Sequence, residues 1–243
     1  MGSLENKVAV ITGATSGMAL AIAKLFVSEG AYVYITGRNQ EKLDEAVKAI
    51  GNNVRGIQGD AANLKDLDRL FDIIESEQGK IDILYANAGV GDFGPLGMIT
   101  EEHFDKLFNL NVKAVVFAVQ KALPLFNNGG SIIMTGSIAA MKGFAGLGLY
   151  GASKAALRSL ARTWTNELKE QNIRVNVINP GPIDSDFFNS GPKEAQDFLI
   201  SLVPMGRKGQ PQEIASAALF LASDASSFIT GIELSVDGGL AQV

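Results

Sequence analysis

Short apolar runs recur along the chain and alternate with stretches whose apolar positions fall three and four residues apart. Val8-Ala9-Val10-Ile11 is the first run, with no polar residue inside it, the pattern of a strand covered on both faces. Ala19–Glu29 follows, with Leu20, Ala23, Phe26 and Val27 at helical spacing and Gly30 as its stop. The alternation continues with a strand at Tyr32–Thr36, a helix at Gln40–Ile50 closed by Gly51, a strand at Val54–Gln58 and a helix at Leu64–Gln78. Ile81–Tyr85 supplies a fourth strand. Thr100 is placed to cap one long helix reaching about Phe126, bent near Pro124. Ser131–Thr135, Leu149–Gln171 and Val175–Ile178 predict strand, helix, strand, and Pro211–Ala222 with Ile232–Val236 ends the series at Gly238-Gly239.

Strands that alternate with helices and have no linker between them predict a parallel sheet, because parallel neighbours need crossover connections. The expected fold is α/β: one doubly wound, Rossmann-like parallel sheet with helices on both faces, in a single domain over residues 1–243. The segment after the sixth strand breaks the rhythm. Pro180–Gln210 is rich in proline and glycine, with a short amphipathic piece around Glu194–Val203, and a long irregular segment at a strand end is more often functional than structural. It is expected to form a lid over about residues 183–210.

Composition narrows the chemistry. The absence of cysteine excludes disulfides, thiolate nucleophiles and cysteine-based zinc sites, and His103 as the one histidine argues against His-rich metal sites and a Ser-His-Asp triad. His103 sits in a polar Glu101-Glu102-His103 helix start and is expected to be solvated. No metal is expected. The net charge of −5 and the lack of a basic run argue against nucleic acid or an anionic membrane as partner. The segment Met1–Lys7 has no apolar signal core, Asn6 does not fit a myristoylation motif, and runs such as Ile214–Ala222 are too short to span a bilayer. A cytoplasmic protein is expected.

The 27 glycines are unevenly placed. Gly13 and Gly17, in Thr12-Gly13-Ala14-Thr15-Ser16-Gly17-Met18-Ala19, lie between the first strand and the first helix. Gly13 allows a tight turn, and Gly17 leaves space where a pyrophosphate would approach backbone N–H groups and the positive end of the helix. In a dinucleotide-binding half, an acid at the end of the second strand bonds the ribose of NAD, whereas arginine accommodates the phosphate of NADP. Here Gly37-Arg38 ends that strand, which favours NADP(H) and leaves NAD(H) open; Arg38 is otherwise a solvated surface residue.

These features, followed in order by Asp60-Ala61, Asn87-Ala88-Gly89, Asn111, Ser137, Tyr150-x-x-x-Lys154, Pro180-Gly181, Ile183 and Ser185, resemble the short-chain dehydrogenase/reductase family almost end to end. The resemblance implies a cofactor loop of Gly13, Thr15, Ser16, Gly17 and Met18, with Asp60 and Ala61 at the adenine. It places Asn87, Ala88 and Gly89 on the adenosine side, and Pro180, Gly181, Ile183 and Ser185 at the nicotinamide carboxamide. It also implies a catalytic set of Asn111, Ser137, Tyr150 and Lys154, in which Lys154 also bonds the ribose, Asn111 holds a water, and four chains form a homotetramer. Three positions depart from the family pattern: Ala19 for glycine, Met18 for isoleucine and Ser185 for threonine.

The residues carry a chemistry of their own. Tyr150 and Lys154 share one helix face. Reducing a ketone needs hydride at carbon and a proton at oxygen, and a phenol can give that proton if its pKa of about 10 falls. A cation about 4 Å away is worth at most about 4 kcal/mol, or about three pKa units, so Lys154 is expected to lower Tyr150. Ser137 can donate to the developing alkoxide. Ser137, Ile138, Ala139, Met141, Phe144, Leu147 and Tyr150, with Phe187, Phe188 and Leu202 from the lid, should line a substrate pocket with little fixed charge. The expected function is hydride transfer between NADP(H) and a ketone or secondary alcohol. Alternatives are a sugar dehydrogenase acting on glucose, a 3-oxoacyl-thioester reductase and a non-catalytic nucleotide sensor; a carrier would want a basic rim, and Arg158 and Arg162 lie on the catalytic helix, which the resemblance also places in a subunit interface. Leu160, Trp164 and Leu168 are expected in the core or a subunit contact.

Overall fold

The unalternated apolar runs become the strands of one sheet, and their neighbours become its covering helices. The protein is described by a computed structural model over residues 2–243, apart from the side chains of Asn127 and Phe187. The strands are β1 (Val8–Ile11), β2 (Tyr32–Gly37), β3 (Val54–Gln58), β4 (Ile81–Ala86), β5 (Phe126–Thr135), β6 (Ile173–Pro180) and β7 (Glu233–Val236). They pair in parallel in the order β3-β2-β1-β4-β5-β6-β7. The helices are α1 (Gly17–Ser28), α2 (Gln40–Ile50), α3 (Leu64–Gln78), α4 (Glu101–Phe108), α5 (Ala114–Ala122), α6 (Gly148–Glu167), α7 (Asp186–Asn189), α8 (Lys193–Ser201) and α9 (Pro211–Ala222).

Because successive strand residues face opposite ways, each strand feeds two cores. Val8 and Val10 join Leu70, Phe71 and Ile74 of α3, Val119 of α5 and Leu157 of α6 on one face. Ala9 and Ile11 join Ile22 and Phe26 of α1 and Ile214 and Leu221 of α9 on the other. Each such Leu, Ile or Phe contributes about 1.5–3 kcal/mol by leaving water, and burial on both sides explains why β1 has no polar position. The chain runs outward from β1 to β2 and β3, then returns to place β4 on the other side of β1. That reversal opens a crevice at the carboxyl ends of β1 and β4, where ligands bind in sheets of this kind.

Several boundaries differ from the sequence expectation. The long helix after Thr100 is interrupted: α4 gives way to a π-helical turn at Asn109–Lys113, then α5, then a 3-10 turn at Leu123–Leu125. Thr100 does cap it, accepting the His103 N–H at 3.1 Å. The strand read from Ser131 starts at Phe126, with a register shift between Ile81 and Ile83 on its neighbour. α6 stops at Glu167, and the chain turns through Lys169–Gln171 to a left-handed Asn172 with φ 53°. The segment expected to act as a lid contains α7 and α8, and Ile183 bridges to Gly209 at its base. Among the described residues no helix is long and apolar enough to cross a membrane.

Candidate active site

The turn after β1 takes its shape from glycine: Gly13 and Gly17 have φ of 67° and 57°, a region L side chains avoid. The Gly13 N–H donates to Thr36 Oγ1 at 3.1 Å and the Ala14 N–H to the Thr36 carbonyl at 3.0 Å, tying the loop to β2. Ser16 stands at the N-cap of α1 but its hydroxyl caps nothing, so the first-turn N–H groups keep their capacity for an anion. Met18 lies beside them. Thr15 packs its methyl where a Cβ on Gly37 would be, which leaves glycine as the residue that fits the end of β2. Arg38 is exposed and makes no ion pair among the described residues. Asp60 lies after β3, its Oδ1 accepting the Ala62 N–H at 2.9 Å and its own N–H bonded to Asp66 Oδ2 at 2.9 Å, with Ala61 beside it.

The end of β4 is fastened to the glycine turn. Thr12 Oγ1 accepts the N–H groups of Asn87 and Ala88 at 3.0 and 3.1 Å, and Asn87 Nδ2 donates to the Gly13 carbonyl at 3.2 Å. Thr135 at the end of β5 completes the frame. Its hydroxyl bonds Asn87 Oδ1 at 3.1 Å and the buried Tyr85 hydroxyl at 3.2 Å, and its carbonyl accepts Lys154 Nζ at 2.8 Å. A Cβ on Gly89 would sit 3.1 Å from Lys154 Nζ and 3.2 Å from Asn111 Oδ1. A cleft of about 260 Å³ runs between Gly13, Ser16, Gly17, Met18, Asn87, Gly89, Tyr150, Lys154 and Ser185. Glycines at the close approaches, an uncapped helix start and a buried cation fit a dinucleotide.

Asn111 explains the π turn that carries it. Its Oδ1 accepts the Val90 N–H and its Nδ2 donates to the Val90 carbonyl, both at 2.8 Å; Nδ2 also bonds Ser153 Oγ at 3.0 Å. Ser153 Oγ in turn donates to the Tyr150 carbonyl at 2.7 Å. Both N–H groups of the carboxamide are thus taken by protein, so a water held by Asn111 would bind through an oxygen. The wider turn buries this carboxamide against the loop after β4 rather than letting the helix run on.

Ser137, Tyr150 and Lys154 converge at the ends of β5 and α6. Ser137 caps the 3-10 turn Ile138–Ala140 through the Ala139 N–H at 3.1 Å. Lys154 Nζ lies 5.9 Å from the Tyr150 ring centroid. Burial lowers the Lys154 pKa to about 8. The expected lowering of Tyr150 is not found in the protein by itself: burial pushes the phenol above its ordinary value, and its hydrogen bond with Ser137 offsets only part of that. The cation stands over the ring.

Beside this group is a pocket of about 150 Å³ lined by Ser137, Ile138, Ala139, Phe144, Leu147, Tyr150, Phe188 and Leu199, with no charged side chain among its walls. Pro180, Gly181 and Ile183 also line this pocket, and Met18, Thr135, Tyr150 and Ser185 form the wall it shares with the glycine cleft. Gly181 is pressed against the backbone of Asp237, and Ser185 caps α7 through the Phe188 N–H at 3.3 Å.

Two expected lining residues lie elsewhere. Met141 turns its sulfur to Asn179 Nδ2 at 3.3 Å, away from the pocket, because the 3-10 turn rotates it past Ala140. Leu202 follows α8 and is half exposed, while Leu199, one turn earlier, faces inward. The Phe187 side chain lies outside the described residues.

Other expectations also change. His103 is half-buried rather than solvated, its ring against Gly94 and its Nε2 3.8 Å from Asp92 Oδ2. Arg158 and Arg162 are paired with Glu233, so neither is free to form a basic rim. Leu168 is buried, and Leu160 and Trp164 pack against the core. Thr135, Leu199 and Asn179 carry no motif in the sequence; for Thr135 the end of a predicted strand is the available signal.

A family model described as enoyl-(acyl carrier protein) reductase matches residues 13–241. The chain is 47% identical over 243 residues to oxidoreductase asL5 of Sarocladium schorii, covering 99% of this chain and 98% of the relative. It is 37% identical to the 3-oxoacyl-[acyl-carrier-protein] reductase FabG of Thermotoga maritima, covering 98% of each. Among solved structures, a doubly substituted Serratia marcescens short-chain dehydrogenase/reductase superposes with a TM-score of 0.94 at 34% identity, covering 98% of this chain and 99% of that one. A blue fluorescent protein from a metagenomic library, in complex with NADPH, superposes with a TM-score of 0.93 at 33% identity and the same coverage.

Proposed function

The chain belongs to the short-chain dehydrogenase/reductase family, and from that premise we propose that it reduces a ketone to a secondary alcohol, or the reverse, with NADP(H). One observation carries this reading: Ser137 and Tyr150 share the wall of an uncharged pocket that adjoins the glycine cleft, with the Lys154 ammonium over the Tyr150 ring. When bound, the nicotinamide supplies or accepts the hydride. Gly13, Thr15, Ser16, Gly17 and Met18 would hold the pyrophosphate, Asp60, Ala61, Asn87, Ala88 and Gly89 the adenosine side, and Pro180, Gly181, Ile183 and Ser185 the carboxamide. The preference for NADP(H) is inferred from exposed Arg38, with Gly37 offering no carboxylate; the NADPH-bound relative agrees with it.

In the reducing direction Tyr150 gives its proton to the carbonyl oxygen, and Ser137 donates a hydrogen bond to the same oxygen as charge develops. Lys154, cationic below its pKa of about 8, stabilises the tyrosinate left behind, and an oxygen of Asn111 holds a water that passes the proton on. An apolar ketone suits the neutral pocket better than a sugar, and the pairing of Arg158 and Arg162 with Glu233 disfavours a carrier-protein rim. The compartment proposed is the cytoplasm and the assembly a homotetramer.

Tyr150→Phe tests the chemistry. Turnover of an aryl ketone should fall by at least about 10³-fold, while NADPH still quenches or enhances fluorescence with nearly the wild-type Kd. Turnover within tenfold of wild type would overturn the assignment.

A further inference from the structure

Ser137 is held from behind by a buried network that ends outside the site. Asn179, fully buried near the end of β6, accepts the Ser137 N–H on its Oδ1 at 3.0 Å. Its Nδ2 donates to Glu233 Oε2 at 3.2 Å and to Met141 Sδ at 3.3 Å. Glu233, on β7, is ion-paired with Arg158, and with Arg162 at 3.3 Å. Arg158 closes the loop by donating to the Ala140 carbonyl at 3.2 Å. The turn Ser137–Met141 is therefore gripped at three points by side chains from β6 and α6.

Two geometric facts make this more than ordinary packing. Tyr150, Lys154 and Arg158 stand on one line of α6, at i, i+4 and i+8, so the helix that carries the tyrosine also carries the cation that fixes the serine turn. Gly136 precedes Ser137, and a Cβ there would overlap Asn179 Oδ1. The glycine thus makes room for the carboxamide that orients the next residue.

We propose that Asn179, held by Glu233 and Arg158, is the positioning residue that sets the Ser137 hydroxyl against Tyr150. Neither Asn179 nor Glu233 lines the pocket, so each acts through Ser137. The proposal rests on the reading of Ser137 as the donor to the carbonyl oxygen. A misplacement of the order of 1 Å at such a donor is enough to cost up to about 10²-fold in rate.

The test is a double-mutant cycle on the NADPH-dependent ketone reduction. Asn179→Ala should lower kcat about tenfold or more with the NADPH Kd within about twofold of wild type, and Glu233→Gln should lower kcat less. In a Ser137→Ala background, both substitutions should change kcat by less than about twofold, since the group they position is gone. If Asn179→Ala does not fold, Glu233→Gln carries the cycle on its own. Equal losses with and without Ser137, or wild-type kcat in both variants, would overturn the proposal. Wild-type activity in Ser137→Ala alone would instead overturn the underlying reading of Ser137, which keeps the two failures apart.

Discussion

At Lys154 the cost of burying a cation and the use made of it meet in one side chain. It is 4% exposed, its Nζ donates to the Thr135 carbonyl, and burial brings its pKa down from 10.5 to about 8. A base whose pKa is lower in the folded chain releases its proton on folding, so the unfolded chain binds more protons between these values. Stability assignable to Lys154 should therefore rise as pH goes from about 8 to 10.5, by roughly 3 kcal/mol. Urea unfolding of wild type and Lys154→Met across that window should show the difference between them shrinking in favour of wild type; parallel curves would refute it. At Tyr150 the raised pKa keeps the phenol protonated at neutral pH, the form that ketone reduction needs. Alcohol oxidation needs the tyrosinate, so its rate should climb with pH above neutrality while reduction does not, read from initial rates in both directions. Arg38→Asp should raise the KM for NADPH far more than that for NADH, and an unchanged ratio would make Arg38 a surface residue. The residues that carry hydroxyl, amine and glycine motifs were legible because their chemistry is local to a strand end. Asn179 and Thr135 were not, because what they do depends on which strands lie side by side: Asn179 meets Ser137 across 42 positions of chain.

Among the elements, the break between α4 and α5 shows most clearly what periodicity leaves out. Leu107, Ala114, Val115, Ala118 and Val119 keep an apolar face through the whole segment, and from that face alone one continuous helix is the economical expectation. The π turn at Asn109–Lys113 is decided elsewhere, by the backbone of Val90, which uses the Asn111 carboxamide as its partner. Asn111→Ala should leave that N–H and carbonyl unpaired and lower stability by about 2 kcal/mol, seen as a reduced urea midpoint without a change of slope. A midpoint equal to wild type would mean that water replaces the carboxamide without loss. Where packing on the sheet alone decides the element, as in β1, α2, α3 and α9, the bounds read from the pattern and those of the structure coincide. The early start of β5 and the short α6 differ for the same reason as the π turn: sheet register and a left-handed Asn172 are tertiary and backbone facts that no apolar period records.

Over the whole molecule, the sheet ends in two edge strands, β3 and β7. Among the described residues β7 pairs with β6 alone, and none of Glu233–Val236 is fully buried. Next to this bare edge Phe228 is completely exposed, and Phe220 and Ile232 are each more than a third exposed. An open edge flanked by large apolar side chains is a surface that natural sheets cover, because it templates pairing and costs free energy in water. A second copy covers it most simply, since a two-fold axis brings the same side chains together from both chains and so counts each one twice. Burying one phenylalanine from each of two copies is worth about 4 kcal/mol, or about a thousandfold in Kd. Sedimentation at micromolar concentration should accordingly show a species larger than the 25.7 kDa chain, and Phe228→Ser should move the association to concentrations about a thousandfold higher while leaving NADPH binding intact. A monomer at every concentration would refute self-association, and an unaltered association in the variant would place the contact on another face and leave the β7 edge to solvent.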